Sequence, residues 1–201
     1  MHYHFIEIGT SDFDTVIETI DDDDTFGISV DPLLIYLRKL PVKQNTLRVL
    51  GAISDSDGFI DVYYIEPEKI EEYKLPFWVR GCNSVGDYHP TIKSFLINVG
   101  LDPYQIISKQ KVPKFSVNAF LEMYQIKSCD YLKIDTEGHD LIILNSWINA
   151  VESGITTAPK KILFESNQLT SPEQVDKMIV MLTDLGYKLV FRNDDVCMSL
   201  I

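Results

Sequence analysis

Short apolar runs alternate along the chain with stretches whose apolar residues recur every three or four positions. Tyr3–Ile8 is a mostly apolar run that stops at Gly9, which reads as a buried strand. Phe13, Val16, Ile17 and Ile20 then recur at helical spacing. A second run, Phe26–Val30, stops at Asp31-Pro32, and Pro32 suits the first position of a helix reaching about Leu40. Leu47–Ile53 is a third run. This order is the signature of parallel strands joined by crossover helices.

Phe59–Ile65 predicts a further strand behind the turn Asp55–Gly58. Residues 66–105 hold Pro67, Pro76, Pro90 and Pro103 and show no steady period; they read as an irregular insertion and a candidate substrate lid. Val117, Phe120, Leu121 and Tyr124 mark one face of a helix, Tyr131–Ile134 a strand, and Leu141, Leu144, Ile148 and Val151 another helix. Lys161–Phe164 is the next strand. Ser171–Gln174 has the form of a capping box with proline at the first helical position, and Gly186 ends the helix that follows. Tyr187–Arg192 and Val196–Ile201 form a terminal hairpin. The expectation is a single α/β domain over residues 1–201, with a mostly parallel seven-stranded sheet, an antiparallel strand at its C-terminal end and helices on both faces.

Composition narrows the function classes. Of 201 residues 45% are hydrophobic and 24% charged, as in a soluble globular domain. No apolar run approaches the roughly 18 residues a membrane span needs. The first residues carry neither a basic nor a long apolar region, so no signal peptide is expected and the cytoplasm is the default address. A net charge of −12 with no basic stripe argues against nucleic acid and anionic membrane surfaces as partners, and leaves a small-molecule substrate. Cys82, Cys129 and Cys197 are far apart and odd in number, which argues against a disulfide framework or a zinc site. The Asp21–Asp24 run lacks the ligand spacing of a calcium loop and reads as solvated.

In open α/β sheets ligands bind beyond the carboxyl ends of the strands. Glu7, Gly9, Thr10, Ser11 and Asp12 occupy the first such turn. Its single glycine lacks the GxGxxG pattern of a dinucleotide site, and Glu7 suits a cationic or amino-bearing ligand better than a phosphate. Thr10, Ser11 and Asp12 are also suited to capping the next helix. Asp31 follows the second strand, where an acid accepts ribose hydroxyls; it could equally cap the helix behind Pro32. Asp135, Glu137 and His139 cluster after a later strand with Asp140, and any of the three could deprotonate a hydroxyl nucleophile. His139 alone has an ordinary pKa near neutrality, and a helix N-terminus favours its neutral, basic form. A metal held by Asp135, Glu165 and His139 is conceivable, but nothing in the spacing demands it, and no metal is expected.

Leu132–Leu144 closely resembles the hallmark segment of the FkbM-like methyltransferases, an LKID-x-EG-x-[ED]-x-x-x-L stretch after the fourth main strand. In the same order, Phe5–Gly9 resembles the cofactor turn and Val30–Pro32 the acid-proline pair after strand two. Leu50–Asp55 is similar to the segment after strand three, and Gly81–Val85 to a G-x-x-S-[LV] segment. Val112-Pro113 with the helix to Tyr124, and Ile162–Glu165, also find counterparts. The resemblance implies a Rossmann-like methyltransferase fold and methyl transfer from S-adenosylmethionine, usually to an oxygen of a sugar or natural product. It implies Glu7, Gly9 and Thr10 at the methionine end, Asp31 on the ribose, and Ala52, Ile53 and Ser54 near the adenine. A binding module that keeps the fold without catalysis is the alternative reading; a nicotinamide-dependent oxidoreductase is disfavoured by the missing GxGxxG.

Overall fold

The computed structural model describes residues 1–20, 24–167 and 169–201, so all of the Asp21–Asp24 run but Asp24 lies outside the described residues. The strands are β1 (His2–Ile8), β2 (Gly27–Asp31), β3 (Thr46–Leu50), β4 (Ala52–Ser54), β5 (Gly58–Ile65), β6 (Ser84–Val85), β7 (Ile107–Ser116), β8 (Ser128–Ile134), β9 (Lys161–Glu165), β10 (Tyr187–Arg192) and β11 (Asp195–Leu200). The helices are α1 (Leu34–Leu37), α2 (Pro67–Glu72), α3 (Pro90–Asn98), α4 (Pro103–Ile106), α5 (Val117–Met123), α6 (Asp140–Glu152) and α7 (Pro172–Asp184).

The main sheet has seven strands in the order β3-β2-β1-β8-β9-β11-β10. Its strands run parallel from β3 through β9, and β11 is antiparallel to both of its neighbours. The chain starts in the middle, builds outwards through β2 and β3, then returns to add β8 and β9 on the other side of β1. The strand order therefore reverses between β1 and β8, and a crevice opens there beyond the carboxyl ends. β2 is buried along its whole length, as a central parallel strand must be.

The two faces of the sheet are covered unequally. Ile6, Ile8, Leu132 and Ile134 point to one side, where Phe120 and Leu121 of α5, Ile143, Leu144 and Trp147 of α6 and Val175 and Leu182 of α7 close a large core. Phe5 points to the other side and meets Ile17, Leu37 and Leu40, which come from a single 3-10 turn, the short α1 and the loop behind it. The helix expected across Phe13–Ile20 is reduced to that turn, Val16–Thr19. The reason is local: Asp14 adopts φ 55°, and the Glu7 carboxylate takes the Val16 N–H at 3.0 Å, which pins the chain to the sheet before a second helical turn can form. Neither Thr10, Ser11 nor Asp12 caps it; Thr15 does, paired with Glu18. The helix behind Pro32 is also shorter than expected. Ser171 begins α7 without a side-chain cap bond.

Leu47–Ile53 is not one strand. Gly51 breaks it, and a Cβ there would lie 2.6 Å from the Phe115 ring. Beyond the break β4 joins a second sheet in the order β4-β7-β5-β6. β5 pairs antiparallel with β7 from Gly58–Lys114 to Ile65–Ile107. β7 is hidden in the sequence by three lysines and Pro113, which blur its period. Residues 66–105, expected to be irregular, fold as α2, a 3-10 turn at Phe77–Arg80, β6, α3 and α4 around Ile65, Val79, Ile92, Leu96 and Ile106. Their helices are too short and too punctuated by proline to show a helical period.

Candidate active site

A cavity of about 240 Å³ opens at the carboxyl ends of β1, β2 and β8. Ile8 and Val30 wall it from the main-sheet side, Ile53, Val62 and Val85 from the second sheet, and Phe13 from the first turn. Asp31 and Asp135 both border it, so the strand ends do converge on a common hollow.

The first turn supplies Gly9, Thr10 and Ser11 to the lining. Gly9 has φ 84°, a conformation open mainly to glycine, and its N–H is bound by the Val30 carbonyl at 2.9 Å. Ser11, also left-handed at φ 48°, donates its backbone N–H to Asp31 Oδ2 at 2.8 Å, while its own hydroxyl is buried without a partner among the described residues. Glu7 and Asp12 lie outside the lining, against the expectation that they face a ligand. Glu7 is wholly buried under the sheet, held by Lys133 Nζ at 3.0 Å and by the Val16 N–H. Strand alternation explains this: Ile8 points into the core side and its neighbour Glu7 must point away. Asp12 is taken by Lys39 at 2.9 Å and by the Arg80 guanidinium, which fastens the 3-10 turn Phe77–Arg80 to the first turn.

Asp31 combines both of its expected roles. Its Oδ1 accepts the Leu33 N–H at 2.7 Å, yet the residue lines the cavity beside Pro32. Burial pushes its carboxyl up to about 7, against the backbone hydrogen bonds from Leu33, Ser11 and Thr10 that favour the charged form. Ala52 and Ile53 line the wall opposite; Ser54 stands behind it, with its hydroxyl 2.9 Å from His139 Nε2.

The loop after β8 brings Asp135, Thr136, Glu137 and His139 into the lining. Asp135 has 41% of its side chain open and lines the cavity. Burial, opposed by Lys133 3.8 Å away and reinforced by Asp140 and Glu137, pushes it up to about 7. His139 precedes the first residue of α6, and burial holds it below its ordinary value, in the neutral form. Glu137, at φ 52°, turns to His89 Nε2 at 3.1 Å. Asp140 is not part of the lining. Fully buried, it accepts the Thr136 hydroxyl at 2.7 Å, the Thr136 N–H at 3.2 Å and the Glu165 N–H at 3.1 Å, and so ties the loop to β9.

Several lining residues escape a reading of motifs. Glu165 at the end of β9, the strand-end acid of the resemblance, joins the lining without having been assigned a role, and is pushed up to about 9 by burial and by Glu137, Asp140 and Asp135. Asn83 and Gly81 come from the stretch without a period, and only the resemblance at Gly81–Val85 signals them. Asn83 Oδ1 and Glu165 Oε2, like the Ser11 hydroxyl, are buried with no partner among the described residues. Asp14, Asp31, Asp135, Glu137 and Glu165 face the cavity, and among the described residues no Lys or Arg lines it. Such a hollow repels a phosphate and favours a ligand with cationic and hydrogen-bonding groups.

The family description "Methyltransferase FkbM domain" matches residues 21–189. The chain belongs to this family of methyltransferase domains, and its mixed α/β fold with a mostly parallel seven-stranded sheet agrees with that membership. The match spans Asp31 and the Asp135–Asp140 loop but begins after β1 and its turn. No curated protein matches the chain, and no solved structure does. Among the described residues no helix is long and apolar enough to cross a membrane.

Proposed function

We propose that the chain, as one Rossmann-like domain, transfers a methyl group from S-adenosylmethionine to a hydroxyl oxygen of a small molecule such as a sugar or natural product. The observation that carries this reading is the shared cavity of Asp31 and Asp135 beside the Gly9 turn, at the point where the strand order reverses. The donor carries its methyl on a positively charged sulfonium, and a lining with five acids and, among the described residues, no Lys or Arg suits that charge. The unpartnered polar atoms of Ser11, Asn83 and Glu165 fit a ligand with its own donors and acceptors.

In this reading Asp31 holds the ribose hydroxyls, Gly9, Thr10 and Ser11 lie at the methionine end, and Ala52 and Ile53 flank the adenine. Asp135 orients the acceptor hydroxyl. Neutral His139, steadied by Ser54, would take the proton of the acceptor hydroxyl, and the donor, when bound, would supply an activated methyl on its sulfonium. Glu137 is engaged by His89 and is less free to face the acceptor hydroxyl. Alignment of oxygen and methyl in one cavity lowers the barrier by several kcal/mol, and a positioned base adds roughly 10²–10⁴-fold.

Calorimetry with S-adenosylhomocysteine tests the proposal. Binding is expected, and Asp31→Ala is expected to abolish it. No heat at millimolar ligand would remove the proposal and favour the non-catalytic module.

A further inference from the structure

We propose that Cys82, His89 and Glu137 form a site for one divalent cation of the zinc class at the rim of the cavity. Their ligand atoms, a thiol sulfur, an imidazole nitrogen and a carboxylate oxygen, all lie within 4.8 Å of one another. Around a tetrahedral zinc such atoms stand roughly 3.3–3.8 Å apart, so side-chain adjustments of about 1 Å complete the set. His89 Nε2 and Glu137 Oε2 are already 3.1 Å apart.

The surroundings point the same way. His89 is 5% exposed, so its ring presents Nε2 beside Glu137 from a buried, fixed position. The Asn167 amide bridges Glu137 and Glu165, and among the described residues no Lys or Arg lines the cavity to balance Glu137. A dication supplies the missing positive charge. The donor set of sulfur, nitrogen and oxygen selects zinc or a similar borderline metal over magnesium or calcium, which take oxygen alone. Three protein ligands leave a position open, as in zinc sites that also hold water or substrate.

The ligands come from two distant segments, the stretch between α2 and α3 and the loop after β8, so no spacing motif announces them. A second cluster, His2, His4 and Asp130, is less suited. His2 is bonded to Ser128 and Asp130, His4 Nδ1 receives the Phe26 N–H, and both histidines are exposed.

The inference stands on these three side chains and not on methyl transfer; S-adenosylhomocysteine binding on the same samples reports separately on that. The full chain, freed of metal, is titrated with cobalt(II) and then zinc(II). The expected result is a single equivalent of cobalt(II) with a thiolate-to-metal charge-transfer band, displaced by zinc(II). Cys82→Ser should abolish the band, and Cys82→Ser and His89→Gln should each weaken binding by more than about tenfold. His4→Ala should change neither. Since substitutions at the rim can disturb folding, X-ray absorption of the zinc-loaded native chain gives an independent measurement, with one sulfur expected at about 2.3 Å. A zinc shell without sulfur, binding unchanged in Cys82→Ser, binding lost in His4→Ala, or no cobalt(II) uptake would each overturn the site.

Discussion

Gly9 and Asp135 touch through their backbones: a Cβ built on Gly9 would lie 1.8 Å from the Asp135 carbonyl oxygen. The Asp135 N–H in turn donates to the Ile8 carbonyl at 2.9 Å. The ends of β1 and β8 are thereby locked side by side, and the two acidic loops that follow are set at a fixed separation across the cavity. Gly9→Ala must both adopt φ 84° and push β8 away. The backbone strain alone costs about 1–3 kcal/mol, and the clash with a main-chain atom adds to it. The expected outcome is a lower Tm and loss of S-adenosylhomocysteine binding, checked by thermal melting and calorimetry on the variant.

Asp31 makes the proposed cofactor binding pH-dependent. Its carboxyl, at about 7 in the folded chain, is raised above the ordinary 3.8. Between those values the folded protein holds a proton that the unfolded chain has released. The contribution to stability is therefore full below the ordinary value and lost as the pH rises through about 7. Ligand affinity moves the opposite way, because the ionised carboxylate is the stronger acceptor for ribose hydroxyls. S-adenosylhomocysteine should bind more tightly at pH 8 than at pH 6. Calorimetry across this range should show the slope vanishing in Asp31→Asn, along with most of the affinity, and persisting in Asp135→Asn.

His139 and Ser54 lend themselves to a kinetic separation. The imidazole is neutral at pH 7 because burial lowers its pKa, and its Nε2 meets the Ser54 hydroxyl. If His139 is the base, His139→Ala lowers methyl transfer from radiolabelled donor roughly 10²–10⁴-fold while S-adenosylhomocysteine affinity stays within a few fold. Ser54→Ala, which removes only the orienting hydroxyl, should have a smaller effect of the same kind. A variant that loses affinity and rate together would place His139 in binding instead.

The long parallel strands and the helices α6 and α7 are legible because each has a period long enough to count. The Asp135–Asp140 loop stands out because its carboxylates and histidine follow a strand directly. The rest is hidden for definite reasons. Glu7 has the right position for a ligand contact, but strand alternation sends it to the opposite face, where Lys133 holds it. Asp12 is drawn off by Arg80, a partner 68 residues away that no local pattern foretells. β7 is masked by its lysines, and Asn83 reaches the cavity from a stretch of short helices. Ser54 is found one layer behind its expected place, touching His139 rather than the cavity.

Asp140 is predicted to be structural although it sits in the segment richest in catalytic side chains. It accepts three hydrogen bonds while wholly buried, from both polar groups of Thr136 and from the Glu165 N–H. Asp140→Ala leaves those donors without acceptors. Bonds to a charged group are worth about 1.5–3 kcal/mol each and do not add fully, so a loss of about 3 kcal/mol is expected in urea unfolding. Since Thr136 and Glu165 line the cavity, ligand affinity should fall with stability.

The buried pair of Lys133 and Glu7 gives a test in which stability and binding separate. Lys133 Nζ lies 3.0 Å from Glu7 Oε1 and donates to the Asp14 carbonyl at 2.8 Å. Lys133→Met would strand an ionised carboxylate under the sheet, at a cost of about 3–5 kcal/mol. The deficit should shrink on acidification, because a Glu7 without its cation becomes protonated and neutral. Adding Glu7→Gln should restore much of the loss, since the amide oxygen still accepts the Val16 N–H and no buried charge remains. Neither residue lines the cavity, so the double variant should bind S-adenosylhomocysteine nearly as well as the native chain. If binding is lost in a double variant that melts normally, Glu7 belongs to the methionine end of the ligand after all, as the resemblance implies, and the turn must rearrange to present it.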